Sequence, residues 1–470
     1  MIFKQYYLGC LAHASYLIAD ESTRAAVVVD PQRDVEQYIE DARLMDLTIR
    51  HVYLTHFHAD FVAGHLELRD RCGASIHLGV KGEAEYEFVP ESDGTRLEMG
   101  DVRLESMETP GHTPEGICIL VYDLKENKDR PQMVLTGDTL FIGDVGRPDL
   151  MASVGITAEE LASLMYDSLH DKLMKLPDQT LVYPAHGAGS LCGKNLSDET
   201  VSTIGEQKRL NYALQPMDRE SFIRMMTENL PAAPEYFPYD AQLNRKERLT
   251  LDRSLETGMK ELTLDELLAL QKEGAQVLDT RPETEFNAAH LKGTVQVGLG
   301  GKFATWAGIV LKPDIPIVLI TEPGTEYESE MRLGRIGFDQ VSGFLKDGMK
   351  ALAGRPDLVE STPGWTVEDW DRAKAQGQKV RVLDVRSPAE YNEGHIRDAL
   401  NVPLNTLQER MDEVPRDGDT LVHCAGGYRS TIACSLLQKA GRKGIINLLG
   451  GLGAFPLNHP VNRDLVTASA

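Results

Sequence analysis

The 470-residue sequence predicts a multidomain α/β protein, in which an α/β or αββα layered domain precedes two copies of a smaller α/β module. Two observations lead to this prediction. Up to about residue 190, short β-branched segments each end in a loop that carries His or Asp, as in AAVVVD, RHVYLT, MVLTGD and TLVYPAH. Further along the chain, a 15-residue segment occurs twice: VLDTRPETEFNAAHL at 277–291 and VLDVRSPAEYNEGHI at 382–396.

The two copies align without a gap, 105 positions apart, and their flanks also correspond. A helix-like segment precedes each copy, and an apolar strand follows it, IPIVLIT in the first and DTLVHC in the second. A duplicated module explains these matches better than chance similarity. Between about 191 and 257 the chain has a charged, helical pattern and then a linker. The predicted domains are therefore 1–250, 258–355 and 358–465.

Composition and charge limit the partners of this chain. A net charge of −23 argues against non-specific binding to nucleic acid or to an anionic membrane surface. No segment approaches the roughly 18 consecutive apolar residues of a membrane span, and the N-terminal residues predict strand and turn rather than a signal peptide. The six cysteines are scattered, with no C-x-x-C pair, which favours a reducing compartment. We expect a cytoplasmic protein.

Side chains that can bind a metal recur at the predicted strand ends. THFHADFVAGH (55–65) nearly matches H-x-H-x-D-H, a pattern that can ligate two metal ions, but Phe61 stands in place of the last His. The motifs PGHT, TGDT and PAHG follow. The candidate ligands are His56, His58, Asp60, His112, Asp138 and His186. One such histidine alone is typical of structural roles, but these motifs together, in this order, predict a metal site.

These four motifs resemble those of the metallo-β-lactamase superfamily over residues 1 to about 250, which implies an αββα sandwich. In two-metal members such as glyoxalase II, the His at the position of Phe61 is a ligand of the second metal. Phenylalanine cannot coordinate a metal, so one metal is expected to remain. The alternative is that another residue, such as His65, replaces the missing ligand.

With one metal, His56, His112 and Asp138 would form a facial triad with open positions for oxygen and a substrate sulfur, as in non-haem iron(II) oxygenases. THFHADFVAGH, PGHTPEG, TGDTLFIGDVGRPDL and STIGEQKRLN resemble the persulfide dioxygenase branch. That resemblance implies one Fe(2+) per chain on these ligands. It also implies roles for flanking residues: His58 as a neighbour, and Asp60 and His186 as groups that orient the ligands.

Two further residues belong to the predicted iron site. The resemblance makes Arg147 a substrate-side arginine that could hold an oxidised sulfur oxygen; the alternative is a structural ion pair with Asp144 or Asp149. Cys192, six residues past His186, could relay sulfur in the same cleft or could simply be buried. A zinc site made by His56, His58 and His112 also remains chemically possible.

The second repeat ends its strand at Cys424, and the loop C-A-G-G-Y-R leads into a predicted helix that begins at about Ser430. The glycines allow several backbone N–H groups to point inward. With the helix N-terminus and an arginine, they would bind an anion and lower the pKa of a thiol. Such a thiolate is a nucleophile and can carry an extra sulfur, although a buried strand cysteine is the alternative. The loop residues are Cys424, Gly426, Gly427, Tyr428 and Arg429.

This loop resembles that of the rhodanese family, over residues about 360–460, with Asp384 and Arg386 as scaffold. Four residues between Cys and Arg give a tighter loop than that of rhodanese-like phosphatases. The first repeat has Thr321 near the position of the cysteine, and its acidic residues would repel an anion. We expect it to be a degenerate rhodanese with a structural or domain-bridging role, or an acidic surface for a partner.

The predicted function is oxidation of a low-molecular-weight thiol persulfide, of glutathione or another small thiol, to sulfite by O2 at a mononuclear non-haem iron. Sulfane-sulfur transfer among thiosulfate, persulfide and sulfite would follow at Cys424. We expect a homo-oligomer that serves sulfide detoxification or sulfur assimilation. One alternative is a glyoxalase II-type zinc thioester hydrolase fused to a sulfurtransferase, and another is a sulfur-relay protein whose metal domain is only a scaffold.

Overall fold

The protein consists of two compact units. The first comprises Met1–Arg253 with Gly334–Gly337, and the second comprises Ser254–Leu333 with Phe338–Ala470. The computed structural model describes every residue except those at positions 151–154, 195, 229, 231–232, 457–458 and 460–470.

The helices, in chain order, are α1 (Glu36–Leu44), α2 (His65–Cys72), α3 (Ala158–Asp167), α4 (Ile204–Leu210), α5 (Arg219–Thr227), α6 (Phe237–Leu243), α7 (Leu251–Gly258), α8 (Leu264–Lys272), α9 (Glu283–Ala288), α10 (Phe303–Val310), α11 (Glu326–Gly334), α12 (Val367–Ala375), α13 (Pro388–Glu393) and α14 (Tyr428–Lys439). Within the part of the chain that the structure describes, no helix is long and apolar enough to cross a membrane.

The first unit contains two six-stranded sheets. Its strands are β1 (Ile2–Leu8), β2 (His13–Ala19), β3 (Ala25–Val29), β4 (Thr48–Tyr53), β5 (Ser75–Gly79), β6 (Val89–Glu91), β7 (Arg96–Met99), β8 (Val102–Glu108), β9 (Ile117–Asp123), β10 (Met133–Gly137), β11 (Leu181–Pro184) and β12 (Ser202–Thr203). The strand orders are β1-β2-β3-β4-β5-β6 and β12-β11-β10-β9-β8-β7.

Strand β9 shows how the two sheets form layers. Successive side chains of a strand point to opposite faces. Ile117 and Ile119 join the apolar cluster shared by the two sheets, whereas Cys118 and Leu120 join a cluster that includes residues of α3 and α5. Helices α1 and α2 pack against β4 of the other sheet. This order of helix, sheet, sheet and helix confirms the predicted αββα sandwich.

The second unit contains two copies of a parallel five-stranded sheet and one two-stranded antiparallel sheet. Its strands are β13 (Glu261–Leu262), β14 (Gln276–Asp279), β15 (His290–Leu291), β16 (Val295–Gln296), β17 (Ile317–Ile320), β18 (Val341–Leu345), β19 (Val359–Glu360), β20 (Gly364–Trp365), β21 (Arg381–Asp384), β22 (Leu400–Asn401), β23 (Thr420–His423) and β24 (Ile445–Leu448). The orders β13-β18-β17-β14-β16 and β20-β24-β23-β21-β22 correspond strand for strand, which confirms the predicted duplication.

Each copy contains the same buried Asp–Arg pair. Arg281 contacts Asp279 at 2.6 Å and donates to the carbonyl oxygen of Ala289 at 2.9 Å. Arg386 contacts Asp384 at 2.6 Å and donates to a carbonyl oxygen eight residues further along at 2.8 Å. The shared D-x-R sequence therefore closes the loop after the first long strand of each module.

The segment after α6, which the sequence suggested was partly a linker, is tied into the first unit up to Arg253. The buried carboxylate of Glu67 accepts hydrogen bonds from Arg33 at 3.2 Å, from Arg248 at 2.7 Å and from the backbone N–H of Leu251 at 3.1 Å. Burial alone would raise the pKa of Glu67, but the two guanidinium groups lower it to about 2.

We predict that Glu67→Gln destabilises the first unit by about 3 kcal/mol near neutral pH, because two guanidinium groups stay buried without their carboxylate. The folded pKa of about 2 lies below the ordinary value of 4.5, so the carboxylate stabilises the fold above pH 4.5 and stops doing so as the pH falls towards 2. The difference in the free energy of unfolding between the variant and the wild type should therefore become smaller at acid pH.

The measurement is urea unfolding at a series of pH values, read by hydrogen exchange in peptides of the first unit. Glu40→Gln is the control, because Glu40 forms an exposed pair with Arg43. A difference that stays constant from neutral to acid pH would show that the charge of Glu67 does not stabilise the unit.

Candidate metal centre and sulfur-transfer loop

The candidate metal ligands follow the ends of strands from both sheets of the sandwich. His56 follows β4, Asp138 follows β10, and His186 follows β11, while His112 lies in the loop between β8 and β9. The loops after β4 and β10 approach closely at Gly137, where a Cβ would lie 2.6 Å from Oγ1 of Thr55, and where φ is +51°. Only glycine fits this approach.

His56, His112 and Asp138 converge, with one ligand atom from each within 4.8 Å of the others. Asp138 Oδ2 lies 3.7 Å from Nε2 of His56 and 3.4 Å from Nε2 of His112, which is too long for hydrogen bonds of ordinary strength. All three are buried, and neither oxygen of Asp138 has a hydrogen-bond partner among the described residues. Two imidazoles and a buried, unpaired carboxylate fit a divalent cation as their common partner.

The surrounding groups orient both imidazoles towards the carboxylate. Nδ1 of His112 donates to the carbonyl oxygen of Arg147 at 2.8 Å. Oγ1 of Thr55 donates to Asp30 at 2.8 Å, so Nδ1 of His56, 3.0 Å away, donates to that Oγ1. Each histidine therefore keeps the lone pair of Nε2 for a ligand. Burial and the neighbouring imidazoles hold the pKa of His56 well below its usual range, which keeps it neutral as a metal ligand must be.

A second group of possible ligands lies beside the first. His58, Asp60 and His186 also bring ligand atoms within 4.8 Å of one another. Nε2 of His58 is 3.0 Å from the carboxylate of Asp30, a residue the sequence analysis did not single out. The buried ring of Phe61 packs 4.4 Å from the ring of His58 and offers no ligand atom at this corner of the site.

His65, the residue that could have replaced the missing ligand, lies outside these clusters within the described chain. Its ring instead lies 4.8 Å from that of Tyr86. His13, which the sequence did not indicate, does face the site: its buried ring packs 4.1 Å from Phe61.

Cys192 lies next to the cluster, with Sγ within 4.8 Å of ligand atoms of Asp138 and His186. It is also buried, with 1% of its surface exposed, as the alternative to a sulfur-relay role expected. Burial first, and then the carboxylates of Asp60 and Asp138, raises the pKa of the Cys192 thiol well above its usual value. The thiol is therefore protonated at neutral pH.

Arg147 forms the ion pair that was the alternative to substrate binding. Its guanidinium donates to Asp149 through Nε at 2.7 Å and through Nη2 at 2.6 Å, and only 2% of the residue is exposed. Its backbone N–H donates to the carbonyl oxygen of Cys192 at 2.9 Å, while its own carbonyl accepts from His112. The main chain of Arg147 thus links a candidate ligand to the candidate sulfur-binding cysteine.

Asn244, missed by the sequence analysis, holds the ligand loop. Its buried amide donates to the carbonyl oxygens of His58 and Phe61, each at 2.8 Å, and accepts from the N–H of Ala63 at 2.8 Å. Nothing local in the sequence indicates this role, because Asn244 lies 186 residues from His58.

Cys424 lies directly after β23, and its loop leads into α14, which begins at Tyr428 rather than near Ser430. The N–H of Gly427 donates to Sγ of Cys424 at 3.1 Å, with φ of Gly427 at +104°. Ser430 Oγ lies 3.7 Å from the same sulfur. Cys424 itself is buried, whereas Ala425 and Gly426 after it are exposed, so a substrate would reach the sulfur through this loop.

The guanidinium of Arg429 forms a two-bond ion pair with Glu390, at 2.7 and 2.6 Å. This pairing lowers the pKa of Glu390 to about 2 and raises that of Arg429. Arg429 is thus held by a carboxylate at the base of the loop, and it is close enough to Cys424 to interact with it.

Among its described residues, the first module lacks a cysteine loop equivalent to that of Cys424. Thr321 follows β17 where Cys424 follows β23. The backbone N–H of Gly324 in the loop that follows donates to the carboxylate of Glu326 at 2.8 Å. This N–H is therefore already bound to a side chain, and the loop has no thiol to activate.

Comparisons with known proteins match the first unit and the two modules of the second unit to different families. The metallo-beta-lactamase superfamily model matches residues 8–186, and the rhodanese-like domain model matches residues 263–354 and 367–456. Persulfide dioxygenase ETHE1, mitochondrial, of Bos taurus is 33% identical over 224 residues, which cover 46% of this chain and 77% of the relative. A sulfurtransferase of Allochromatium vinosum is 38% identical over 88 residues, 19% of this chain and 82% of the relative.

A crystal structure of a metallo-beta-lactamase from Staphylococcus aureus subsp. aureus COL is similar over 73% of this chain and 98% of its own, at 29% identity and a TM-score of 0.65. The chain belongs to the metallo-β-lactamase superfamily. Within it, the first unit is homologous to persulfide dioxygenases, and this unit is fused to tandem rhodanese-like domains, which confirms the resemblance inferred from the motifs.

We predict that His112→Ala loses most of the bound metal, because one of three ligands is removed from a site in which each orients the others. His65→Gln should keep the wild-type metal content, although it also replaces a buried histidine. Metal per chain is measured by mass spectrometry after desalting. Equal metal content in the two variants would show that His112 is not a ligand.

Proposed function

We propose that the first unit oxidises a low-molecular-weight thiol persulfide, such as that of glutathione, with O2 at one Fe(2+) held by His56, His112 and Asp138. The overall reaction, RSSH + O2 + H2O → RSH + SO3²⁻ + 2 H⁺, is balanced and yields sulfite. The convergence of these three buried side chains, with both oxygens of Asp138 unpaired among the described residues, carries this proposal. The homology to persulfide dioxygenases supports it.

Iron(II) in a site with two histidines and one carboxylate keeps coordination positions free and supplies the redox chemistry between O2 and a sulfur ligand. The chain's own residues do the rest. The hydrogen bonds from Nδ1 of His112 and His56 orient the ligands. The ring of Phe61, beside His58, replaces a side chain that could bind a second ion.

Further roles are proposed for the groups around the cluster. Arg147 receives the anionic end of the substrate in exchange for Asp149, since a guanidinium fork fits either partner. Cys192 borders the position of the substrate sulfur. The second cluster, His58, Asp60 and His186, orients the ligands without binding the iron.

The second rhodanese module then transfers sulfane sulfur at Cys424. The thiolate attacks the outer sulfur of thiosulfate, a new S–S bond forms at Cys424, the S–S bond of thiosulfate breaks, and sulfite leaves with the electron pair. The reverse step uses sulfite and returns thiosulfate. The N–H of Gly427, 3.1 Å from the sulfur, supports this role because it stabilises both thiolate and persulfide anions.

All six cysteines are free thiols, which supports action in a reducing compartment such as the cytoplasm.

A second candidate is a glyoxalase II-type zinc thioester hydrolase fused to the sulfurtransferase. The observation that favours it is the second cluster, since His58, Asp60 and His186 keep three ligand atoms within 4.8 Å despite the loss of a histidine at Phe61.

Metal content and oxygen uptake separate the two candidates. We predict that protein purified without oxygen contains about one iron per chain and consumes O2 when glutathione persulfide is added, because the three-ligand cluster leaves room for both reactants. The measurements are metal analysis and an oxygen electrode. Two zinc ions per chain, with hydrolysis of a glutathione thioester and no oxygen uptake, would support the hydrolase instead.

We also predict that Cys424→Ser keeps iron content and oxygen uptake but shifts the products of persulfide oxidation from thiosulfate towards sulfite. Serine preserves the size of the side chain but removes the nucleophilic sulfur. Products are separated by chromatography after thiol derivatisation, at matched oxygen uptake and corrected for uncatalysed exchange. Cys72→Ser, at a half-buried cysteine on α2, is the control. An unchanged ratio in Cys424→Ser would mean that the two sites do not act in series, or that Cys192 carries the sulfur.

A further inference from the structure

The side chain of Tyr428 leaves the Cys424 loop and contacts the cysteine-free module. Its hydroxyl donates to the carbonyl oxygen of Gly298 at 2.7 Å. Its ring lies so close to Gly301 that a Cβ there would be 2.5 Å from two ring carbons. A glycine at position 301 is therefore required for the tyrosine ring to lie where it does.

The segment that receives Tyr428 is fixed within its own module. The carbonyl oxygen of Leu299 accepts from Arg332 of α11 at 2.8 Å. The N–H of Val297 donates to the carbonyl oxygen of Asp279, at the end of β14, at 3.0 Å. Tyr428 thus bonds to backbone that is held from both sides, and not to a free loop.

Helix α14 is attached to the same module at a second point. The N–H of Gln296, in β16, donates to Oγ of Ser435 at 3.0 Å, and both residues are buried. Ser435 lies seven positions after Tyr428, which places both on one face of the helix. The cysteine-free module therefore fixes the first two turns of the helix that carries the Cys424 loop.

This attachment bears directly on the sulfur. Gly427, whose N–H bonds to Sγ of Cys424, has an exposed glycine before it and Tyr428 after it. Glycines restrain the backbone least, so Tyr428 is the first residue of the loop with a side-chain anchor. We infer that Tyr428 is a positioning residue and that the cysteine-free module, through Gly298 and Gly301, keeps the N–H of Gly427 aimed at the sulfur of Cys424. The inference rests on the proposed sulfurtransferase function.

The charged groups near the loop stay the same in the test variants. Arg429 and Glu390 form their pair on α14 and α13, while Glu283 of α9 and Arg332 of α11 act on the phenol of Tyr428. A shift in the acid side of the pH dependence of kcat/KM would therefore report the N–H bond to the sulfur and not a new charge.

The test compares Gly301→Ala and Tyr428→Phe with Gly300→Ala in the full-length protein. An alanine methyl at position 301 would push the tyrosine ring away, whereas at position 300 nothing lies within 4 Å of the added Cβ. The measured quantity is kcat/KM for thiosulfate, with cyanide as acceptor, as a function of pH. Its acid limb reports ionisation in the free enzyme.

We expect the acid limb to move up by about one pH unit in Gly301→Ala and Tyr428→Phe, which is roughly a tenfold loss of thiolate well below the pKa. Gly300→Ala should superimpose on the wild type, and oxygen uptake should be the same in all variants. An unmoved acid limb in Tyr428→Phe, which keeps the ring and so the packing, would overturn the inference whatever happens to Gly301→Ala. Sulfurtransferase activity that survives Cys424→Ser would instead refute the proposed function.

Discussion

The first unit is organised around a buried carboxylate. Asp138 is 2% exposed, and none of the described residues donates a hydrogen bond to either of its oxygens. Burying an unpaired charge costs several kcal/mol unless another charge compensates it. Burial lowers the pKa of His56, so this imidazole is neutral and does not compensate the charge. A cation would compensate this charge. The close approach at Gly137 and the hydrogen bonds of Asn244 hold the loops that carry its candidate ligands.

The two candidate sites stabilise opposite charges with different parts of the chain. The first offers imidazole and carboxylate side chains to a cation, and its ligands are oriented through carbonyl and hydroxyl partners. The second offers a backbone N–H to the sulfur of Cys424, and its arginine is bound to Glu390. Side chains at strand ends create the first site, whereas backbone conformation creates the second.

The features of the fold that the sequence predicted correctly are those encoded by short contiguous segments. The repeat, the layered first domain and the order of ligand motifs are visible because each motif lies on one strand end. Asn244 and Tyr428 were not given these roles, because each acts on residues 186 and 130 positions away. For Arg147 the sequence left two partners open, and only the fold shows that Asp149 is within reach of its guanidinium. The start of α14 differed by two residues because glycine at 427 can end the loop early.

The Asp–Arg pair has the same geometry in the module with a nucleophile and in the module without one. It closes the loop after the first long strand whether or not the cysteine is present, so the fold of each copy does not depend on the reactive residue. After a gene duplication, such a module can lose its thiol by mutation and still fold. Selection can then act on the inactive copy for its surface alone, and the two descendants of one ancestral module can diverge into a reacting partner and a supporting one.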